Sequence, residues 1–172
     1  MLDFPNASEP VDDLRELNWL LPAPYIEVWR IESNDIDHYN HVNNTAYVAQ
    51  IEEVAWAHSN AIGLSIEHYK TLDRAMVIRQ HRLSYIQPCH LHDEIACATW
   101  IVFCDKKLRL QRQFQFISIK HGKTVFHAHT DFVCTVLSTG KPTRIPPLFA
   151  EIYAKHVVQD RATITQGNEQ TC

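Results

Sequence analysis

This chain of 172 residues has no apolar run that could cross a bilayer. The longest, residues 95–104, is ten residues, about half of the roughly 20 that a spanning helix needs. Nor is there a basic excess: 16 Lys and Arg stand against 20 Asp and Glu, for a formal net charge of -4. That balance excludes a general nucleic-acid binder, whose phosphate contacts need a surplus of cations. The five cysteines include no Cys-x-x-Cys pair and have no basic neighbour to acidify them. They read as reduced thiols of a cytoplasmic protein, most of them small hydrophobes in apolar segments. Gly-x-Ser-x-Gly is absent, so a serine-hydrolase elbow is unsupported, and no His-Glu-x-x-His repeat announces a metal site. The first ten residues carry neither basic residues nor an apolar core, which is not the pattern of a secretory signal.

What is present is the composition of one globular domain, 45% hydrophobic and 21% charged, at a length that buries a sufficient core without disulfide or metal. Residues 1–24, rich in Pro, Asp, Glu and Asn, form an arm whose Leu-rich piece, residues 14–21, could pack. Residues 25–33 are β-branched and aromatic with polar residues between, which suits a strand. From residue 45 to 62 the period changes to helical, with Ala46, Ile51, Val54, Ala55, His58 and Ile62 on one stripe. Asn43 or Asn44 can cap its start, and Gly63 can end it. Residues 65–71 add a short helical turn.

Strand follows strand after that: residues 75–86, 94–104, 108–120 and 124–137. In the third, Leu108, Leu110, Phe114 and Phe116 alternate with Arg109, Gln111, Gln113 and Gln115, placing one face in a core. The short linkers predict antiparallel neighbours. Strands of this length suit a strongly curved sheet, and the one long helix is what such a sheet would wrap. The fold class is therefore α+β. A last helix, residues 148–158, is started by Pro147, and the polar residues from about 159 form a tail.

The chemistry gathers between the first strand and the helix, where Asp35-Ile-Asp-His-Tyr-Asn-His-Val-Asn-Asn-Thr-Ala-Tyr47 holds two carboxylates, two histidines and three asparagines but no glycine or proline. In an extended chain Asp35 and Asp37 point to the same side. Composition alone would make such a pair solvated turn-formers. The helix start changes the weighing, because its free N–H groups and positive dipole end suit a developing oxyanion. A second reading takes Asp35, Asp37, His38 and His41 as ligands of a metal-dependent hydrolase. Eleven histidines across the chain make chance clustering the simpler account, so no metal is expected.

This motif, continued by Glu52, Glu53 and Trp56, resembles the signature of hot-dog-fold acyl-CoA thioesterases of the 4-hydroxybenzoyl-CoA thioesterase-like group. It is especially similar to the bacterial long-chain acyl-CoA thioesterases. Val77-Ile78, Leu83 to Pro88 with Asp93, and Phe132 to Cys134 with Thr139 to Lys141 follow in the family's order, so that the resemblance covers residues 25–158.

The resemblance implies a hot-dog fold over residues 25–158 and hydrolysis of acyl-CoA thioesters. Asp37 would be nucleophile or general base, the Asn44 backbone N–H would polarise the carbonyl, and Asp35 would support them. It also implies a dimer or tetramer with sites between subunits, and no cofactor beyond the coenzyme A of the substrate. Such a site further needs an apolar slot and cations for the CoA phosphates. Tyr47, Ile51 and Val54 are candidates for the slot, Arg79, Arg82, Lys106, Lys107 and Arg109 for the phosphates, and His41 and Asn43 join them as substrate-binding residues of the motif. Two positions depart from the family: Asn40 where Gly is common, and Ala55 where many members have Arg. A non-catalytic acyl-thioester binder or scaffold of the same fold is the alternative.

Overall fold

The structure, a computed structural model, describes residues 13–158. Expectations for the first twelve residues and for the tail from 159 lie outside the described residues. The sheet is built from β1 (Tyr25–Arg30), β2 (Arg74–Tyr85), β3 (Glu94–Cys104), β4 (Arg109–Ser118) and β5 (Lys123–Val136), in the spatial order β1-β3-β4-β5-β2. Every pairing is antiparallel. Bulges in the β2–β5, β3–β4 and β4–β5 pairings bend these long strands, since an extra residue on one side of a ladder increases its local twist. The curved sheet holds the 18-residue helix α1 (Asn44–Ala61), and α2 (Ile66–Thr71) and α3 (Pro147–Lys155) complete the chain. This is the hot-dog arrangement.

Helix α1 buries Tyr47, Ile51, Val54, His58 and Ser59, a stripe shifted slightly from the expected one. Its first half packs on Trp29, Ile31, Cys97, Phe114, Phe116 and Phe126, where each fully buried large side chain contributes about 1.5–3 kcal/mol. Asn43 is the cap: its Oδ1 accepts from the Thr45 N–H at 2.9 Å and the Thr45 hydroxyl at 2.8 Å. At the other end Gly63 takes φ +91, the left-handed turn that glycine adopts without steric penalty.

One expectation fails. The eight-residue linker after β2 does not join neighbours, since β2 lies at one edge beside β5 while β3 lies between β1 and β4. The linker instead crosses the end of the sheet below α1. It is tied on the way by Ile86 N–H to Val125 O, Val42 N–H to Cys89 O and His92 N–H to Ile31 O. Sheet curvature, invisible in linker length, brings the two edges close enough for so short a crossing.

The alternation in β4 is also incomplete as a guide to burial. Gln115, on the face away from α1, is buried because residues 13–24 cover it. Its side chain accepts from Leu20 N–H and donates to the Asn18 carbonyl. Leu17 packs on Ala96 and Ile117, and Leu21 on Ala98 and Trp100. The described part of the arm is thus a layer over the sheet.

Candidate active site

Between β1 and α1 the backbone makes two tight turns. The first is a single 3-10 turn, Ser33–Asp35, which sends the Asp35 carboxylate back toward β1. Its Oδ2 accepts from Glu32 N–H at 3.0 Å and from the Trp29 indole N–H at 3.3 Å, and its carbonyl accepts from Asn43 N–H at 2.7 Å. Asp35 therefore holds the corner's backbone and does not lie beside Asp37 on one side of an extended strand. Local turn formation breaks the period of two on which that expectation rested.

The second turn is the corner Asp37 to His41. The Asp37 N–H donates to the His41 carbonyl at 2.8 Å and the Asn40 N–H to the Asp37 carbonyl at 3.1 Å. The Asp37 Oδ1 accepts from Tyr39 N–H at 2.8 Å and His41 N–H at 3.3 Å. Its Oδ2 has no partner among the described residues. Asn40 sits at φ +59, in the left-handed region where Asn is enriched and which glycine fills in the resembling family. Ile36 and Val42 bridge the base of the corner.

The Asn44 N–H follows at once. As the first helical donor it has no intrahelical acceptor, and the cap side chain takes the next one, Thr45 N–H. Asn44 is exposed and its carbonyl accepts from the Tyr85 hydroxyl at 3.1 Å, which ties the helix start to the end of β2. A half-buried carboxylate with one unengaged oxygen and a free N–H at the positive end of a long helix thus occupy one short segment. The first can take a proton or attack a carbonyl, and the second can receive an oxyanion.

The other candidates divide. His38 and His41 are exposed, and the His41 ring lies edge-on to His90 with centroids 5.1 Å apart. Among the described residues no group of three or more His, Cys, Asp or Glu is placed to hold a metal ion. Tyr47 is 3% exposed, stacked on Phe126 and edge-on to Trp29 and Tyr85. Val54 is fully buried in the same cluster. These two build the core under the helix, whereas Ile51 does line a cavity. Arg79 and Arg82 are exposed on β2, the strand whose end touches Asn44. Lys106, Lys107 and Arg109 lie at the β3–β4 turn, the far end of the sheet from Asp37. The eleven residues of β3 separate the two ends, roughly 35 Å at about 3.3 Å per residue, so these three are not brought to this chain's own corner.

The cavity, about 350 Å³, runs along α1 between Val48, Ile51, Ala55 and Ser59 on the helix and the inner faces of β2, β4 and β5. Its wall is mostly apolar, but Arg112 stands in it and is 2% exposed. Arg112 Nη1 donates to His58 Nδ1 and Nη2 to Ser59 Oγ, both at 2.9 Å. Burial, then the Arg112 charge, pulls His58 down to about 3, so the imidazole is neutral and accepts. Burial also lowers the Arg112 pKa, yet a guanidinium stays charged in a protein. This residue was missed in the sequence, although the alternation that buries Leu110, Phe114 and Phe116 puts position 112 on the same face.

Residues 31–153 match the family model of the thioesterase-like superfamily. Several solved structures share the fold. A DHNA-CoA thioesterase from Staphylococcus aureus superposes with TM-score 0.72 at 17% identity, over 84% of this chain and 95% of its own. A second Staphylococcus aureus protein, solved in complex with CoA, gives TM-score 0.71 at 19% identity over 81% and 89%. A 1,4-dihydroxy-2-naphthoyl-CoA thioesterase from Synechocystis gives 0.69 at 15% identity over 77% and 96%. A comparison with curated protein sequences finds no match.

Proposed function

We propose that this chain, which belongs to the thioesterase-like superfamily, hydrolyses acyl-CoA thioesters to the free acid and CoA. The observation that carries this function is the corner itself, with the unengaged Asp37 Oδ2 and the free Asn44 N–H in one segment. The N–H polarises the thioester carbonyl and holds the oxyanion as it forms. Asp37 takes a proton from water as the water oxygen attacks the carbonyl carbon, or attacks it directly to give an anhydride that water then opens. Either way the carbon–sulfur bond breaks, the sulfur leaves as the CoA thiolate, and a proton restores the thiol. The relative solved with CoA supports CoA as the leaving group, and no further cofactor is needed.

The working form we propose is a homo-oligomer. Strand β2 is an edge strand with Val77 and Ile78 exposed at 42% and 49%, a template for pairing with another copy. An isologous pairing there would turn the second sheet end for end. The β3–β4 turn with the partner's Lys106, Lys107 and Arg109 would then face the corner of the first chain, while Arg79 and Arg82 act nearer home. A cytoplasmic setting suits the free cysteines at 89, 97, 104 and 134, which reducing conditions preserve.

The test is release of free thiol from saturated acyl-CoAs of several chain lengths. Asp37→Asn should lower turnover by at least about 100-fold, the usual scale of a lost acid–base group, with the oligomer unchanged by size-exclusion chromatography. Full activity in that variant overturns the role of Asp37. Tight binding without thiol release would make the protein an acyl-thioester binder instead.

A further inference from the structure

The cavity along α1 holds a charge that an alkyl chain cannot use. Arg112 is almost fully buried and both of its partners, His58 and Ser59, are neutral. Of the five N–H donors of a guanidinium, His58 and Ser59 take one each; the hydroxyls of Tyr69 and Tyr153 lie close enough to act on its charge, but no ion pair neutralises it among the described residues. Glu52, the one carboxylate in the cavity wall, makes no ion pair with it. The register sets Arg112 on β4 opposite Thr130 on β5, and Thr130 opposite His81 on β2. His81, whose Nδ1 lies 2.8 Å from the Thr130 hydroxyl, also lines the cavity. A polar row therefore crosses three strands on the floor of a mostly apolar space. Arg74, at the cavity wall, adds a second guanidinium, whose buried Nε lacks a partner.

Position along the helix gives the row its meaning. Val48, the cavity residue nearest the helix start, is one turn from Asn44. Ser59, which holds Arg112, is fifteen residues from Asn44, about 22 Å along the axis at 1.5 Å per residue. Between them the helix offers Ile51, Ala55 and Trp56, with Glu52 the one charged side chain on this stretch. A thioester carbonyl at Asn44 would send its acyl chain past apolar residues and end it at a buried cation. Burying a charge without a counter-ion is strongly unfavourable, and an incoming anion relieves it.

We propose that this cavity takes an acyl chain whose far end carries a carboxylate, which pairs with Arg112, so that ω-carboxyacyl thioesters are the preferred substrates. The inference rests on the hydrolase function for the direction of the chain, but the buried anion site can be tested without hydrolysis. Asp37→Asn protein is titrated calorimetrically with an ω-carboxyacyl-CoA and with the methyl-ended acyl-CoA of equal carbon count. The carboxylate-ended ligand should bind at least about tenfold more tightly, the lower end expected of a charge-assisted contact. In the wild type the kcat/KM ratio of the two substrates should follow the same order and collapse toward unity in Arg112→Met. Because that variant could fail to fold, binding of an n-alkanoate and the n-alkanol of equal length to wild-type protein serves as a second measurement, with tighter alkanoate binding expected. Equal binding within both ligand pairs overturns the inference and leaves hydrolysis at Asp37 standing. Preferential carboxylate binding by a protein that releases no thiol overturns the hydrolase function and leaves the anion site standing.

Discussion

The Asp37 amide and the His41 carbonyl are 2.8 Å apart, so the carboxylate of Asp37 is carried on a corner closed by its own backbone. Asp35, two residues earlier, has its carboxylate bound to Trp29 and Glu32. The two acids therefore answer differently to substitution. Asp35→Ala should lower stability by about 1–2 kcal/mol, the scale of leaving a part-buried donor unmet, while keeping most of the turnover. Asp37→Asn should do the reverse, and urea melts run beside thiol-release assays separate the two.

Asn40 is strained only as far as its side chain requires. At φ +59 a glycine carries no penalty, whereas a β-branched residue meets its own carbonyl. Asn40→Gly should leave the denaturation midpoint nearly unchanged, and Asn40→Val should lower stability by about 1–2 kcal/mol. A midpoint for Asn40→Val equal to that of the wild type would show that the corner does not hold this backbone conformation in solution.

Asn43 meets Thr45 twice, at its N–H and its hydroxyl. Asn43→Ala should cost about 1 kcal/mol, the usual value of an N-cap, and lower Tm by about 2–4 °C for a domain of this size. Asn43→Asp or Asn43→Ser should retain most of that stability. Because the same cap holds the first donors of α1 in place, thiol release by Asn43→Ala should fall more than its melting curve alone would suggest.

His58 gives the protein a pH signature. Its folded pKa, about 3, lies below the ordinary imidazole value of 6.5, so the unfolded chain binds the proton more readily and stability rises with pH. The contribution is fully present above about pH 6.5 and is lost progressively as pH falls toward about 3. At about 1.36 kcal/mol per unit this amounts to a few kcal/mol at most. His81, His127 and His129 are also lowered by burial and add in the same direction. His58→Gln should flatten the acid limb of a stability-versus-pH curve measured by urea melts; an unchanged limb would show that His58 is not buried neutral.

Much of this was legible beforehand because it is written in local pattern. The period of two through β4, the shift to a helical period near Thr45, a cap at Asn43 or Asn44 and the stop at Gly63 are short-range effects, governed by residues a few positions apart. The left-handed Asn40 is legible only through the resemblance, in which Gly is common at that position. The partner strand of β2 could not, because a linker this short is compatible with a hairpin or with a crossing under the helix, and curvature chooses between them.

The same division runs through the candidate site. Sequence alone determined that a carboxylate, an asparagine-rich corner and a helix start would follow one another, since backbone connectivity keeps them together in any fold. Only the tertiary structure decided that Asp35 braces the corner and that Tyr47 and Val54 belong to the core. It alone placed Arg112 at the floor of a cavity without a carboxylate beside it. The physical reason is that burial and charge pairing are properties of three strands and a helix meeting in space, and residues 58, 81, 112 and 130 meet only when the sheet closes around α1.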